Sequence, residues 1–141
     1  MKKTAVLLVF IFVARIGAAQ DLTKGLWYNS EKSSKLQFFK QGDKIFAKIV
    51  WMKEPVRDGK NRVDDKNPDA KLKNRALMGM NIITNLVKEE GSVWNDGQIY
   101  DPNNGKTYSC KVTWVNDKEL DLRGYIGFSL LGRTTKFSRA E

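Results

Sequence analysis

The sequence predicts an all-β protein, built as an antiparallel sandwich or barrel of short strands. Apolar and polar residues alternate strictly from Tyr108 to Trp114, as they do in a strand with one buried face. Turn signals such as Gln41-Gly42-Asp43 and Asp101-Pro-Asn-Asn-Gly105 separate the alternating segments. Short strands that recur at a spacing of roughly ten residues are typical of sandwiches and barrels.

Shorter segments repeat the alternation. Leu36 with Phe38, and Leu120 with Leu122, each bracket one polar residue. Residues 45–51 alternate over a longer run, which predicts that one side of that strand is buried. Its inward residues would be Ile45, Ala47, Ile49 and Trp51. We expect the tryptophans on strands, Trp27, Trp51 and Trp114, to fill the core.

The stretch from Trp94 to Trp114 predicts a β-hairpin. We expect a turn at Trp94–Gly97, a short strand at Gln98–Asp101, a second turn at Pro102–Gly105 and a long return strand at Lys106–Val115. Gly105 would have a positive φ in that turn. The alternation predicts which side chains of the return strand face inward, namely Tyr108, Cys110, Val112 and Trp114, with Lys111 and Thr113 outward.

Residues 55–67 are charged and contain glycine, which predicts a long loop. A short helix is predicted after it, around residues 68–76. Asn67 would be its N-cap and Pro68 its first residue. Asp69 would lie in the first turn, and Leu72 and Ala76 on one face.

The first 19 residues have the features of a secretory signal peptide. A basic start at Lys2 and Lys3 precedes an apolar run, and small residues end at Ala19. The run is shorter than the roughly 20 residues of a membrane-spanning helix. We expect cleavage after Ala19, a mature N-terminus at Gln20, and one domain over residues 20–141. The protein would be exported, to the periplasm or the outside of the cell.

Composition excludes several kinds of chemistry. The chain has no His and a single Cys, so neither a Ser-His or Cys-His couple nor an internal disulfide can form, and a zinc site is not expected. We predict no catalytic residues, no metal and no cofactor.

The predicted mature chain is basic. Cleavage of the signal peptide would remove Lys2, Lys3 and Arg15 and lower the net charge from +9 to +6. We expect the protein to be a monomer and to have no nucleic-acid partner.

Eight short motifs follow one another along the chain: Gly25-Leu-Trp27, Lys48-Ile-Val-Trp51, Asp65-Lys-Asn-Pro-Asp69, Leu72-x-x-Arg75-x-Leu-x-Gly79, Trp94-x-x-Gly97-x-Ile-Tyr-Asp-Pro102, Gly105-Lys-Thr-Tyr108, Leu122-Arg-Gly-Tyr125 and Leu131-Gly-Arg133-Thr. In this order they resemble the exported bacterial family catalogued as domain of unknown function 2147. The similarity covers essentially the whole mature chain. Phe137 departs from the pattern, which often has Trp there.

The resemblance implies an architecture and no reaction. It implies a small antiparallel barrel of the lipocalin-like (calycin-like) type, with the short helical insertion around residues 68–76. By analogy with lipocalins, Gly25 and Trp27 would form the barrel floor beneath an arginine of the last strand. Arg133 and Arg139 are both candidates for that arginine.

The candidate ligand-binding residues are of two kinds. Trp94, Tyr100 and Asp101 belong to the hairpin, where strand ends at a barrel rim bring polar side chains together. Each also has a structural explanation, in turns or in the core. Arg75, Arg123 and Arg133 present planar cationic forks that suit a carboxylate or phosphate, and they also suit an internal Asp.

Three functions remain open. The first is a non-enzymatic module that binds a small amphiphilic or envelope-derived ligand, since an eight-stranded barrel can hold one small ligand. The second is an envelope-associated structural or interaction protein that meets an anionic envelope component through its basic surface. The third is a carboxylate-based hydrolase that pairs Asp96 or Asp101 with another acid.

Overall fold

The computed structural model describes residues 19–140. The predicted signal peptide therefore lies almost entirely outside the described residues. Within them, no helix has the length and hydropathy that a membrane span requires. Residues 19–140 form ten strands: β1 Leu26–Tyr28, β2 Ser34–Gln41, β3 Lys44–Met52, β4 Val56–Arg57, β5 Lys60–Asn61, β6 Asn81–Lys88, β7 Val93–Asp101, β8 Lys106–Asn116, β9 Glu119–Tyr125 and β10 Arg133–Ala140.

Eight of these strands close into an antiparallel barrel, so the predicted fold class is confirmed. The order around the barrel is β1, β10, β9, β8, β7, β6, β3, β2, and β4 with β5 forms a separate hairpin. Closure leaves no free sheet edge in the barrel. We call the end with connections 29–33, 53–80, 102–105 and 126–132 the mouth, and the other end the floor.

The floor is closed by Trp27 under Arg139. Trp27 is fully buried and its ring meets Trp114 edge-on, with 5.7 Å between centroids. The Arg139 guanidinium carbon lies 4.1 Å from the Trp27 ring centre, and its Nη1 donates to the Lys24 carbonyl at 2.7 Å. A Cβ on Gly25 would stand 2.6 Å from that Nη1. Gly25 therefore leaves room for the guanidinium, and Arg139, not Arg133, covers the tryptophan.

The hairpin from Trp94 to Trp114 is confirmed with one change. Tyr100 pairs with Thr107 and Asp101 with Lys106, and Gly105 has φ +72°. Cys110 and Val112 are fully buried and Trp114 nearly so, as the alternation predicts. The expected turn at 94–97 is wrong. Strand β7 runs through it with a bulge, and Asp96 takes φ +58° there.

Trp51 does not fill the core. The pairing of β2 with β3 shifts between Lys35 and Leu36, opposite this part of β3. The shift turns Met52 inward, and Trp51 is 37% exposed. On the outer surface the Trp51 ring meets Tyr28 edge-on, and the Lys35 Nζ lies 5.0 Å from both ring centres.

The predicted helix around 68–76 is a single 3-10 turn, Ala70–Leu72. Its N-cap is Asp69, whose carboxylate accepts from the Lys71 backbone N–H, and not Asn67. Residues 73–74 form a turn after it, and the helix does not continue to residue 76. Ala76 forms a β-bridge with Val63.

Candidate functional site

A cavity of about 470 Å³ opens at the mouth of the barrel. Its apolar base is formed by inward side chains of several strands, Ile49, Met52, Ile99, Leu122 and Phe137. Its rim is polar and comes from three mouth connections and the strand ends beside them, among them Asn29, Glu31, Arg62, Asp101, Asn103 and Arg133. This combination of an apolar interior and a few polar groups is typical of small-molecule sites.

The inward face of β10 explains why the two candidate arginines have different roles. Arg133, Thr135, Phe137 and Arg139 alternate along one face. The first three line the cavity, whereas Arg139 lies at the floor over Trp27. Strand direction alone places one guanidinium at the rim and the other at the opposite end.

Gly124 enlarges the cavity. It lies on the inward face of β9, beside Leu122, and is among the lining residues. A Cβ on Gly124 would be 3.9 Å from the Tyr108 Cβ, an ordinary van der Waals contact, and its φ is not positive. A larger side chain would therefore fit the backbone and project into the cavity.

A buried carboxylate joins the connection 53–80, here called the insertion, to the barrel. The side chain of Asp64 is fully buried, and its Oδ1 accepts from the Tyr100 hydroxyl at 2.5 Å. Its Oδ2 accepts from Asn67 Nδ2 and from Arg75 Nη2, each at 2.8 Å. The two oxygens thus receive three side-chain donors, which satisfies a carboxylate that burial alone would destabilise.

These contacts shift both ionisable groups. Burial alone would raise the pKa of Asp64, but the hydrogen bonds from Tyr100, Asn67 and Arg75 hold that pKa below its ordinary value. Burial and the hydrogen bond to the Asp64 carboxylate raise the pKa of Tyr100 from 10.0 to about 12. The Tyr100 hydroxyl therefore stays protonated and donates to Asp64. The part of Tyr100 that can contact a cavity ligand is its ring.

The Pro102–Gly105 turn also holds the insertion. A Cβ on Gly105 would overlap the backbone carbonyl of Lys66. The turn is closed by the Gly105 N–H, which donates to the Asp101 carbonyl at 2.8 Å. The Asp101 carboxylate in turn accepts from the Asn103 backbone N–H at 2.9 Å. The Asp101 carboxylate therefore stabilises the turn, and Asp101 is also among the residues that line the cavity.

The sequence-predicted site residues do not form one cluster. Tyr100, Asp101 and Arg133 all line the mouth cavity. Arg75 lies instead in a smaller outer pocket of about 280 Å³, which shares Tyr100 with the cavity. Trp94 is 4% exposed near the floor, with the Lys88 Nζ 4.2 Å from its ring centre. Trp94 is not among the residues that line the cavity.

Sequence reasoning missed Asp64 and misassigned Asn67. Asp64 lies in a charged loop with no alternation, where any carboxylate is expected to be exposed. Only its partners, 3, 11 and 36 residues away, make it buried. Its position immediately before the motif Asp65-Lys-Asn-Pro-Asp69 was the one available signal.

Three further features limit the chemistry. Cys110 is fully buried, and burial raises the pKa of its thiol to about 12, so it is not an activated nucleophile. Among residues 19–140, no group of three or more His, Cys, Asp or Glu side chains could hold a metal ion. Asp96 and Asp101 are five residues apart on β7, about 16 Å at the rise of a strand. These two acids are therefore too far apart to pair with each other in catalysis, and either would need a different acid as its partner.

We expect Tyr100→Phe to destabilise the protein by about 1.5 kcal/mol at neutral pH, the lower range for a hydrogen bond to a charged group, because Tyr100 is partly exposed. Because the pKa of Tyr100 is raised in the folded protein, the stabilisation from its hydrogen bond is fully present below pH 10. It is lost as the pH rises toward 12. Urea unfolding at several pH values measures the difference. Tyr108→Phe is the control, since its hydroxyl only accepts from Asn104 at an exposed site. Equal losses in both variants would contradict the assignment.

Comparisons with known proteins agree with this structure. Residues 25–139 match the family described as "Uncharacterized protein conserved in bacteria", domain of unknown function 2147. No curated protein sequence matches the chain significantly.

One similar solved structure is that of protein HP1028 from Helicobacter pylori, which is described as belonging to the lipocalin family. The two proteins share 26% sequence identity with a TM-score of 0.76, over 87% of this chain and 85% of that one. The motifs, the closed eight-stranded barrel and these matches lead to one conclusion. The chain belongs to the bacterial family of domain of unknown function 2147, and its barrel is lipocalin-like.

Proposed function

We propose that this protein is an exported, non-enzymatic binding module for a small amphiphile. The observation that carries the proposal is the mouth cavity, whose volume of about 470 Å³ lies within the usual range for ligand sites. Its apolar base would receive the hydrocarbon part of the ligand. The polar rim would receive its head.

Arg133 is the residue proposed to bind an anionic head group. It stands at the rim, above the apolar face of Thr135 and Phe137 on the same strand. None of the ion pairs found in residues 19–140 involves Arg133. Arg75 is less suited, because its guanidinium already pairs with Asp64 at 2.8 Å.

Export is part of this proposal and rests on the signal-like start of the chain. Expression of the full chain in a Gram-negative host, followed by N-terminal sequencing of the periplasmic fraction, tests it. The expected N-terminus is Gln20. Full-length protein that stays in the cytoplasm would contradict export.

The binding site is tested with dodecanoate and dodecanol, which share a tail and differ in charge. We expect the wild type to bind both and Gly124→Leu to bind neither, because the leucine occupies the cavity. Arg133→Gln should weaken dodecanoate binding by about tenfold, the usual effect of losing a charge-assisted hydrogen bond, and leave dodecanol binding nearly unchanged.

Native mass spectrometry of the periplasmic protein supplies an independent measurement. A retained small molecule that is absent from Gly124→Leu supports the proposal. A uniformly empty wild type that also binds neither probe would refute it. Melting temperatures of all variants are compared first, so that loss of binding is not confused with loss of fold.

A further inference from the structure

The most exposed apolar side chains of residues 19–140 lie together in one mouth connection, 126–132. Ile126 is 71% exposed, Phe128 76%, Leu130 89% and Leu131 80%. The next most exposed large hydrophobic residue, Val56, is 50% exposed. This connection contains no charged residue. Such a concentration of exposed apolar surface marks an interaction site in a soluble protein.

The exposed position of this loop is held by specific contacts. The Arg123 guanidinium donates to the carbonyl of Ser129, to the carbonyl of Leu130 at 3.2 Å and to Thr134 Oγ1 at 2.9 Å. Gly132 fits closely at the loop's end, since a Cβ there would lie 2.6 Å from the Gly124 carbonyl oxygen. Arginine thus fixes the backbone while the apolar side chains stay in solvent.

Charge differs between the two ends of the barrel. The insertion, residues 53–80, contains eight Lys or Arg and five Asp or Glu, and the other mouth connections are neutral, so the mouth connections carry a net charge of +3. The floor connections 42–43, 89–92 and 117–118 carry −1, −2 and 0, a net charge of −3. The exposed apolar loop therefore belongs to the positive end of the molecule.

We propose that residues 126–131 insert into the interface of an anionic lipid bilayer, with the cationic insertion facing the head groups. Apolar side chains beside cationic ones are the combination by which proteins bind such surfaces. A second copy of the chain would suit the apolar loop but would bring two positive ends together. The docking itself does not require the cavity to be used. Direct exchange of an amphiphile between bilayer and cavity is a consequence that rests on the proposed function.

The test is vesicle flotation with protein lacking residues 1–19. Vesicles of phosphatidylcholine alone are compared with vesicles that also contain phosphatidylglycerol. We expect binding to the anionic vesicles, weaker binding to the neutral ones, and weaker binding in high salt, where the screening length falls from about 10 Å to about 3 Å. The variant Phe128→Ser/Leu130→Ser/Leu131→Ser should reduce binding at least about tenfold, because most of the buried apolar area is removed.

Val115→Ser is the matched control, since Val115 is 46% exposed and lies at the end of strand β8, near the floor. It should bind vesicles like the wild type. A second variant, Arg57→Gln/Lys60→Gln, removes two exposed charges of the insertion and should lower binding to anionic vesicles only. All three variants change residues outside the cavity lining, so dodecanoate binding should persist in each. This measurement therefore distinguishes a loss of membrane docking from a failure of the proposed function.

Several outcomes would overturn the inference. One is a wild type that floats with neither kind of vesicle. Another is a loop variant that floats as well as the wild type. A third is a wild-type dimer in sedimentation that the loop variant converts to a monomer, with no vesicle binding, which would assign the loop to a second copy of the chain.

Discussion

Trp27→Ala is expected to destabilise the barrel by about 3–5 kcal/mol, the range for removing a large buried aromatic side chain. The residue is fully buried, packs against Trp114 and supports the Arg139 guanidinium. Its loss opens a cavity and uncovers the floor. Urea or thermal unfolding, followed by far-ultraviolet circular dichroism, measures the change.

Trp51→Ala is the control for this prediction. It removes the same side chain from the outer surface, where it is 37% exposed, and should cost clearly less. Arg139→Met should fall between the two, because it removes the cation and the hydrogen bond to Lys24 but keeps much of the stem. A loss under about 1 kcal/mol for Trp27→Ala would contradict its role at the floor.

Gly105→Val is expected to destabilise the protein by about 2–5 kcal/mol, for two reasons. A branched side chain at φ +72° costs about 1–2 kcal/mol, and its overlap with the Lys66 carbonyl adds about 1–3 kcal/mol of overpacking. The insertion must then move away from the hairpin. Because Asp64 would move with it, the pKa of Tyr100 should fall back toward its ordinary value, which an absorbance titration of tyrosinate detects.

Gly42→Val separates the two causes. Gly42 has a similar φ of +66°, but a Cβ there would meet nothing within 4 Å. This variant should show the backbone cost alone, about 1–2 kcal/mol, and leave the Tyr100 titration unchanged. Equal losses for the two valine variants would show that the contact with Lys66 contributes nothing.

Alternation along the chain predicted most of the fold correctly. It predicted strands within β2, β3, β8 and β9 and the inward face of β8, and the turn residues predicted the turn at Pro102–Gly105, because these depend on neighbours within a few residues. The resemblance left both Arg133 and Arg139 as candidates for the arginine over Trp27, and the two residues share one face of β10. Which arginine covers Trp27 depends on the pairing of β1 with β10, where Trp27 lies opposite Arg139. The residue pattern of a single strand does not contain that pairing.

The sequence by itself determined the fold class, the family and the turn at Pro102–Gly105. Tertiary structure alone decided the rest. A register shift between β2 and β3 turned Trp51 outward, and a β-bridge from Val63 to Ala76 ended the expected helix after one turn. The burial of Asp64 depends on a tyrosine 36 residues away. Each outcome is set by contacts between distant segments, and a local pattern of hydrophobicity carries no information about which distant segments will meet.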